Sequence, residues 1–114
     1  MNFGEAIAQL KLDNLVCRKD WPSGTFVFRQ IPAEINVKNV VPNMQSLPLA
    51  AKLEFERRQV SVEKMQNPHK SVVEMVSSIR YNNQLALVDG RNNISSYSPS
   101  IEETLAEDWE VYND

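Results

Sequence analysis

The sequence predicts one α+β domain: a twisted antiparallel sheet with a short N-terminal helix, a middle helix and a short C-terminal helix. Three observations carry that expectation. Helix-capping signals stand near both ends of the chain, Asn2 with Glu5 and Ser100 with Glu103. Between them lie short runs rich in Val, Phe, Ile and Tyr, divided by Pro-Ser-Gly, Asn-Asn and Asp-Gly, the punctuation of strands and turns. The length of 114 residues is close to the commonest size of a single domain, long enough to bury one core.

Each element follows from local chemistry. Asn2 caps a helix over residues 2–10, with Glu5 reaching back to the free amide, and Phe3, Ala6, Ile7 and Leu10 form one apolar face. Residues 15–18 read as a strand, Trp21-Pro22-Ser23-Gly24 as a turn, and residues 25–30 as the clearest strand, with Phe26 and Phe28 on one face and Val27 on the other. Pro32, Pro42 and Pro48 break residues 31–49 into extended pieces and turns. A helix is expected over residues 48–59, with Glu54, Glu56, Arg57 and Arg58 as its solvated face. Residues 60–70 read as a polar loop or irregular hairpin. Residues 72–81 and 84–88 read as two strands joined in a hairpin at Asn82-Asn83, and Asp89-Gly90 as a second hairpin leading into residues 93–97. Ser100 caps the last helix, and residues 109–112 form a C-terminal strand.

Composition excludes several classes. Hydrophobic residues are 42% and charged residues 24% of the chain, which is globular rather than disordered. A net charge of −3 argues against coating a nucleic-acid polymer through phosphate contacts, yet leaves room for a small anion met by a few local cations. Cys17 is the sole cysteine and His69 the sole histidine, so neither an intramolecular disulfide nor a Cys/His zinc cluster can form within one chain. No apolar run approaches the roughly 20 residues of a membrane span, and Glu5 and Gln9 interrupt any signal-peptide pattern. A soluble cytoplasmic protein without a membrane or nucleic-acid partner is expected.

Catalytic patterns are thin. His69 lies in a polar, Pro-bounded stretch with no nucleophile beside it, and reads as an exposed loop residue. Cys17 neighbours Arg18 and Lys19 but reads as a buried structural thiol. Three glycines in the whole chain form no phosphate-cradling loop. The reading is a binding protein with no cofactor, not an enzyme. Its binding vocabulary is aromatic and cationic: Trp21, Phe26, Phe28, Tyr81, Tyr97 and Trp109, with Arg18, Lys19 and Arg29 close by. Aromatic faces stack on nucleobases and guanidinium groups pair with phosphate, although aromatics at strand spacing are equally the stuff of a core.

Two blocks of sequence narrow this. Met1-Asn2-Phe3-Gly4-Glu5-Ala6-Ile7, followed by Val16-Cys17-Arg18-Lys19-Asp20-Trp21, resembles the opening of the Thoeris anti-defence 2 family of small phage proteins. Tyr97-Ser98-Pro99-Ser100, running on to Leu105-Ala106-Glu107-Asp108-Trp109-Glu110-Val111, resembles the family's closing block. The stretch around Ile31-Pro32-Ala33-Glu34-Ile35 and Val41-Pro42-Asn43 resembles the insert of longer members. The resemblance implies a single sponge domain over residues 1–114 with an insert at about 35–75. It further implies sequestration, without cleavage, of a small nucleotide signal in the infected bacterium. The implied signal is a glycocyclic ADP-ribose and/or a cyclic di- or oligonucleotide of the CBASS type. A homo-oligomer, a tetramer, is the implied assembly.

Residue by residue, the resemblance places Trp21 against an adenine, with a role as core cap beside Pro22 as the alternative. Tyr97 stands where the family usually carries Trp, and Asp20 where it usually carries Gly. Ser98 and Ser100 are candidate donors to a ribose or phosphate, Ser100 more simply as a helix cap. Phe28 joins the candidate aromatic surface, and Arg18 and Arg29 are candidate partners of a pyrophosphate. Asp108 is either a ribose contact or a helix-end acceptor, and Trp109 a core residue. The competing function is a small phage protein that blocks a host defence protein by direct contact.

Overall fold

The computed structural model describes residues 1–113. Its elements, in chain order, are α1 (Phe3–Lys11), β1 (Val16–Arg18), β2 (Phe26–Gln30), β3 (Ala33–Asn36), a 3-10 turn (Val41–Asn43), α2 (Leu49–Glu63), α3 (Lys70–Ser77), β4 (Ser78–Tyr81), β5 (Gln84–Val88), β6 (Ile94–Ser96), α4 (Ile101–Leu105) and β7 (Trp109–Val111). The α+β class is as the sequence predicts. The chain forms two compact units, Met1–Ile31 with Asn82–Asp114, and Pro32–Tyr81.

The first unit holds a five-stranded antiparallel sheet in the order β6-β5-β2-β1-β7. One face packs on α1: Ala6 and Leu10 of the helix meet Val16, Val27 and Trp109 of the sheet, all buried, with Phe3, Ile7, Trp21, Leu85, Leu87 and Tyr97 around them. Both capping boxes form as expected. Asn2 Oδ1 accepts from the Glu5 amide at 2.8 Å while Glu5 Oε1 accepts from the Asn2 amide at 2.9 Å. Ser100 and Glu103 make the same reciprocal pair at 3.1 and 2.9 Å. Each box satisfies two donors that a helix start otherwise leaves open.

Alternation along the strands sorts the remaining side chains. Because Val27 points at α1, Arg29 shares its face, whereas Phe26 and Phe28 point away. The turn after β1 is pinned by a close backbone approach. Gly24 adopts φ +84°, and a Cβ there would sit 3.0 Å from the Gly90 Cα; a Cβ on Gly90 would sit 3.0 Å from the Ser23 carbonyl oxygen. Glycine is required at Gly24 on two counts, conformation and space.

The second unit pairs β3 with β4 in antiparallel register and packs α2 with α3. Val37, Val41 and Val62 are its buried side chains. His69 is the N-cap of α3, its Nδ1 accepting from the Ser71 amide at 3.2 Å. At the other end of α3 the Arg80 guanidinium donates to the carbonyls of Glu74, Met75 and Ser78, where a cation complements the helix terminus.

Three sequence expectations are corrected here. The helix expected to stop at residue 59 continues to Glu63, because the Val62 side chain buries and holds the extra turn. The strand expected over residues 72–81 is helical until Ser77 and extended only from Ser78 to Tyr81. Val72, Val73 and Val76 fit helical spacing as well as alternation, and the His69 cap decides for the helix. Asn82-Asn83 is not a hairpin turn, since β4 pairs with β3 and β5 with β2. The Asp89-Gly90 connection does form a hairpin between β5 and β6: Asp89 Oδ1 accepts from the amides of Arg91 and Asn93.

Gly24→Ala is expected to lower the unfolding free energy by about 1–3 kcal/mol, through the left-handed conformation and the contact with Gly90. Gly4→Ala, whose methyl would meet only the Asn2 side-chain oxygen at 3.4 Å, should be neutral or stabilising by up to about 1 kcal/mol. Urea titration of the two variants checks both.

Candidate functional site

Trp21, Tyr97, Arg18 and Asp108 come together at one margin of the core. Trp21 meets Tyr97 edge to face with ring centroids 6.0 Å apart, and meets Trp109 likewise at 5.3 Å. Trp109 in turn packs against Phe3 at 5.5 Å and donates its indole N–H to the Glu103 carbonyl at 2.9 Å. Trp109 is buried, the core role the sequence assigns it, whereas Trp21 is half-buried and also lines a recess. Such tilted and edge-on pairs suit the aromatic quadrupole and hold the rings in fixed orientation.

Arg18 and Trp109 are cross-strand partners in β1 and β7. This register brings the Arg18 guanidinium onto Asp108 in a two-pronged pair, Nε to Oδ1 at 2.8 Å and Nη2 to Oδ2 at 3.3 Å. The hydrogen bond holds the Asp108 carboxyl below its ordinary pKa and raises that of Arg18. Glu102 and Glu103 add negative potential at Arg18. Burial, with the Glu103 carboxylate second, pushes the Tyr97 phenol up, so Tyr97 stays a neutral hydroxyl.

The other residues singled out in the sequence lie elsewhere. Ser98 is exposed directly after Tyr97, and Ser100 is occupied as a helix cap. Phe28 points from the sheet face opposite α1. Arg29 lies on the α1 face near the end of that helix, where it pairs with Asp13 at 2.7 Å; Asp13 adopts φ 65° as the left-handed residue that closes the helix, its N–H donating to the Leu10 carbonyl at 3.0 Å. Cys17 is buried, its thiol pushed up first by burial and then by Glu110.

Beside the aromatic cluster, the turn after β1 and the end of β7 enclose a recess of about 170 Å³. Lys19, Ser23, Gly24 and Thr25 supply its polar wall, and Glu110 its acidic one. Sequence reasoning passed over Ser23 and Thr25; their place beside a glycine turn was the available signal. Two larger clefts, of about 410 and 430 Å³, lie within the Pro32–Tyr81 unit. The first has an aliphatic floor of Val37, Val41, Leu49 and Leu53. In the second, Arg58 is held by Glu54 and Arg80 by Glu34. Among the described residues no group of three or more His, Cys, Asp or Glu side chains is placed to hold a metal ion, and no helix is long and apolar enough to cross a membrane.

The Tad2-like family model, the Thoeris anti-defense 2-like domain, matches residues 1–112. The chain belongs to that family. Its anti-defence role is sequestration of an immune nucleotide signal, a binding rather than a catalytic activity. No curated protein matches the chain.

Arg18 and Asp108 depend on each other's charge, and the sign of the pH effect follows. A carboxyl whose pKa is lowered in the folded protein contributes stability above its unfolded value, near 3.9, and loses it as the pH falls through the lower folded value. The wild-type urea midpoint should therefore fall on acidification below about pH 4. Asp108→Asn should be less stable near neutrality and show a shallower acid decline; superimposable pH profiles would rule the contribution out.

Proposed function

We propose that this protein holds a cyclic nucleotide signal, a glycocyclic ADP-ribose or a cyclic di- or oligonucleotide of the CBASS type, in a pocket built around Trp21 and Tyr97. The supporting observation is the aromatic cluster itself. Trp21 is braced by Trp109 and Tyr97 and also lines a polar recess. A braced indole loses little freedom on binding, and stacking on a base contributes on the order of 1–3 kcal/mol. Arg18 and Asp108 form the rim, with Ser98 beside Tyr97 as a hydroxyl donor.

The assembly is a homo-oligomer, a tetramer, in the cytoplasm of the infected bacterium, with no nucleic-acid polymer and no membrane as partner. Size supports a second wall. A recess of about 170 Å³ is below the roughly 300–1,000 Å³ of sites that enclose a whole small molecule, and another copy of the chain can complete it. Residues 1–114 constitute one sponge domain, and the insert at about 35–75 corresponds to much of the Pro32–Tyr81 unit. That unit's contact pattern, separate from the rest of the chain, supports the assignment.

The test is depletion and recovery. The protein is mixed with a panel of glycocyclic ADP-ribose and cyclic oligonucleotides, and free ligand is followed by chromatography before and after heat denaturation. One ligand should vanish and return intact on heating, whereas returned breakdown products would mean hydrolysis. No depletion of any ligand would favour direct blocking of a host protein instead. For the ligand taken up, Trp21→Ala should weaken binding by about 5- to 150-fold, with a thermal melt to separate lost stacking from lost fold. Light scattering on the same samples should give four chains per particle, and a monomer that still binds would remove the shared pocket.

A further inference from the structure

We infer that the recess behind Trp21, walled by Lys19, Ser23, Gly24 and Thr25, is a phosphate subsite, and that Lys19 rather than Arg18 is its cation. The inference rests on the nucleotide-binding reading above and deepens it.

Charge decides between the two cations. Arg18 is committed to Asp108 by two hydrogen bonds and lies under the field of Glu102 and Glu103. Arg18 also lines the recess, but its guanidinium is already neutralised by Asp108 and offers a phosphate little free charge. Lys19 makes no ion pair with a described residue. Its backbone is nevertheless anchored, because its N–H donates to the Asp108 carbonyl at 3.1 Å. An ammonium on a fixed backbone and a flexible stem is well suited to meet a phosphate as a point charge.

The turn supplies the remaining donors. Its own closing bond uses the Thr25 N–H, given to the Pro22 carbonyl at 3.1 Å. That leaves the N–H groups of Ser23 and Gly24, and the hydroxyls of Ser23 and Thr25, with no partner among the described residues. Gly24 holds φ +84° at the third position of this turn, the left-handed geometry that a type II turn requires there. The contact with Gly90 prevents the turn from drifting. The volume, about 170 Å³, accommodates a phosphate and a few waters. Glu110 is the one carboxylate of the lining among the described residues.

The test uses two probes on the full chain. Inorganic pyrophosphate is titrated into isotope-labelled protein, with amide signals read by NMR. The expected result is saturable movement of the Ser23, Gly24 and Thr25 amides, roughly tenfold weaker in Lys19→Gln and restored in Lys19→Arg. Dimethyl phosphate, a singly charged diester, should move the same amides. Unmoved amides at residues 23–25, or equal affinity in wild type and Lys19→Gln, would overturn the subsite. The nucleotide depletion assay reads the broader function separately. Depletion with a silent turn removes the subsite alone, and a responsive turn without depletion removes the sponge reading alone.

Discussion

The burial of one indole, Trp109, is the interaction on which the first unit depends. Its ring packs on Phe3 of α1 and on Trp21 of the following turn, and its N–H satisfies the Glu103 carbonyl of α4. Its backbone N–H donates to the Met1 carbonyl at 3.1 Å, and β7 carries it into register with Arg18. Burying a tryptophan removes roughly 150–250 Å² from water, about 4–6 kcal/mol at 25 cal/mol/Å². That is comparable with the whole net stability of a small domain, about 5–15 kcal/mol. The candidate site is attached to this contact directly, so its aromatic wall inherits the rigidity of the best-packed part of the core.

Charge around the site is arranged asymmetrically. The margin near α4 carries Glu102, Glu103 and Asp108; Arg18 is consumed in holding Asp108, and the Met1 ammonium donates to the carbonyls of Glu107 and Trp109 on either side of it. A half-exposed pair of this kind adds modest stability, but the hydrogen bonds make it directional. It fixes the end of β1 to the connection before β7, so that Trp21 starts from a set position. Arginine thus acts as a brace, and the flat neutral surfaces of Trp21 and Tyr97 are left as the chemistry available to a ligand on that side. Uncommitted hydrogen-bond donors lie instead in the neighbouring turn, at Ser23, Gly24 and Thr25, with Glu110 lining the same recess.

What was legible in the sequence was what local chemistry decides. A capping box is written in four residues, so Asn2/Glu5 and Ser100/Glu103 could be read without knowing the fold. Asp89-Gly90 was legible for the same reason. The region of residues 60–83 was not, because valine-rich segments satisfy both periods and pairing partners are chosen at a distance. Nothing near Asn82-Asn83 tells that β5 will prefer β2 over β4. At the candidate site the identities of Trp21, Tyr97, Arg18 and Asp108 were legible through family resemblance, but their arrangement was not. Arg18 and Asp108 are 90 positions apart, and only the β1–β7 register makes them partners. Without that register an arginine beside a tryptophan reads as a phosphate ligand.

The two units differ in how firmly their parts are held, and this bears on where a ligand can be retained. The Pro32–Tyr81 unit buries Val37, Val41 and Val62 while Leu49, Leu53, Met65 and Met75 remain more than half exposed. A segment with so little apolar burial opens locally at low free-energy cost. Its clefts are large, and the one aromatic side chain in their linings among the described residues, Phe55, makes no ring contact with another aromatic residue. The first unit combines a buried core with backbone-to-backbone contact between Gly24 and Gly90 beside its recess. Holding a ligand without converting it asks for slow release, and slow release follows from walls that need no reordering when the ligand arrives. Those walls are found where Trp109, Trp21 and the glycine turn meet.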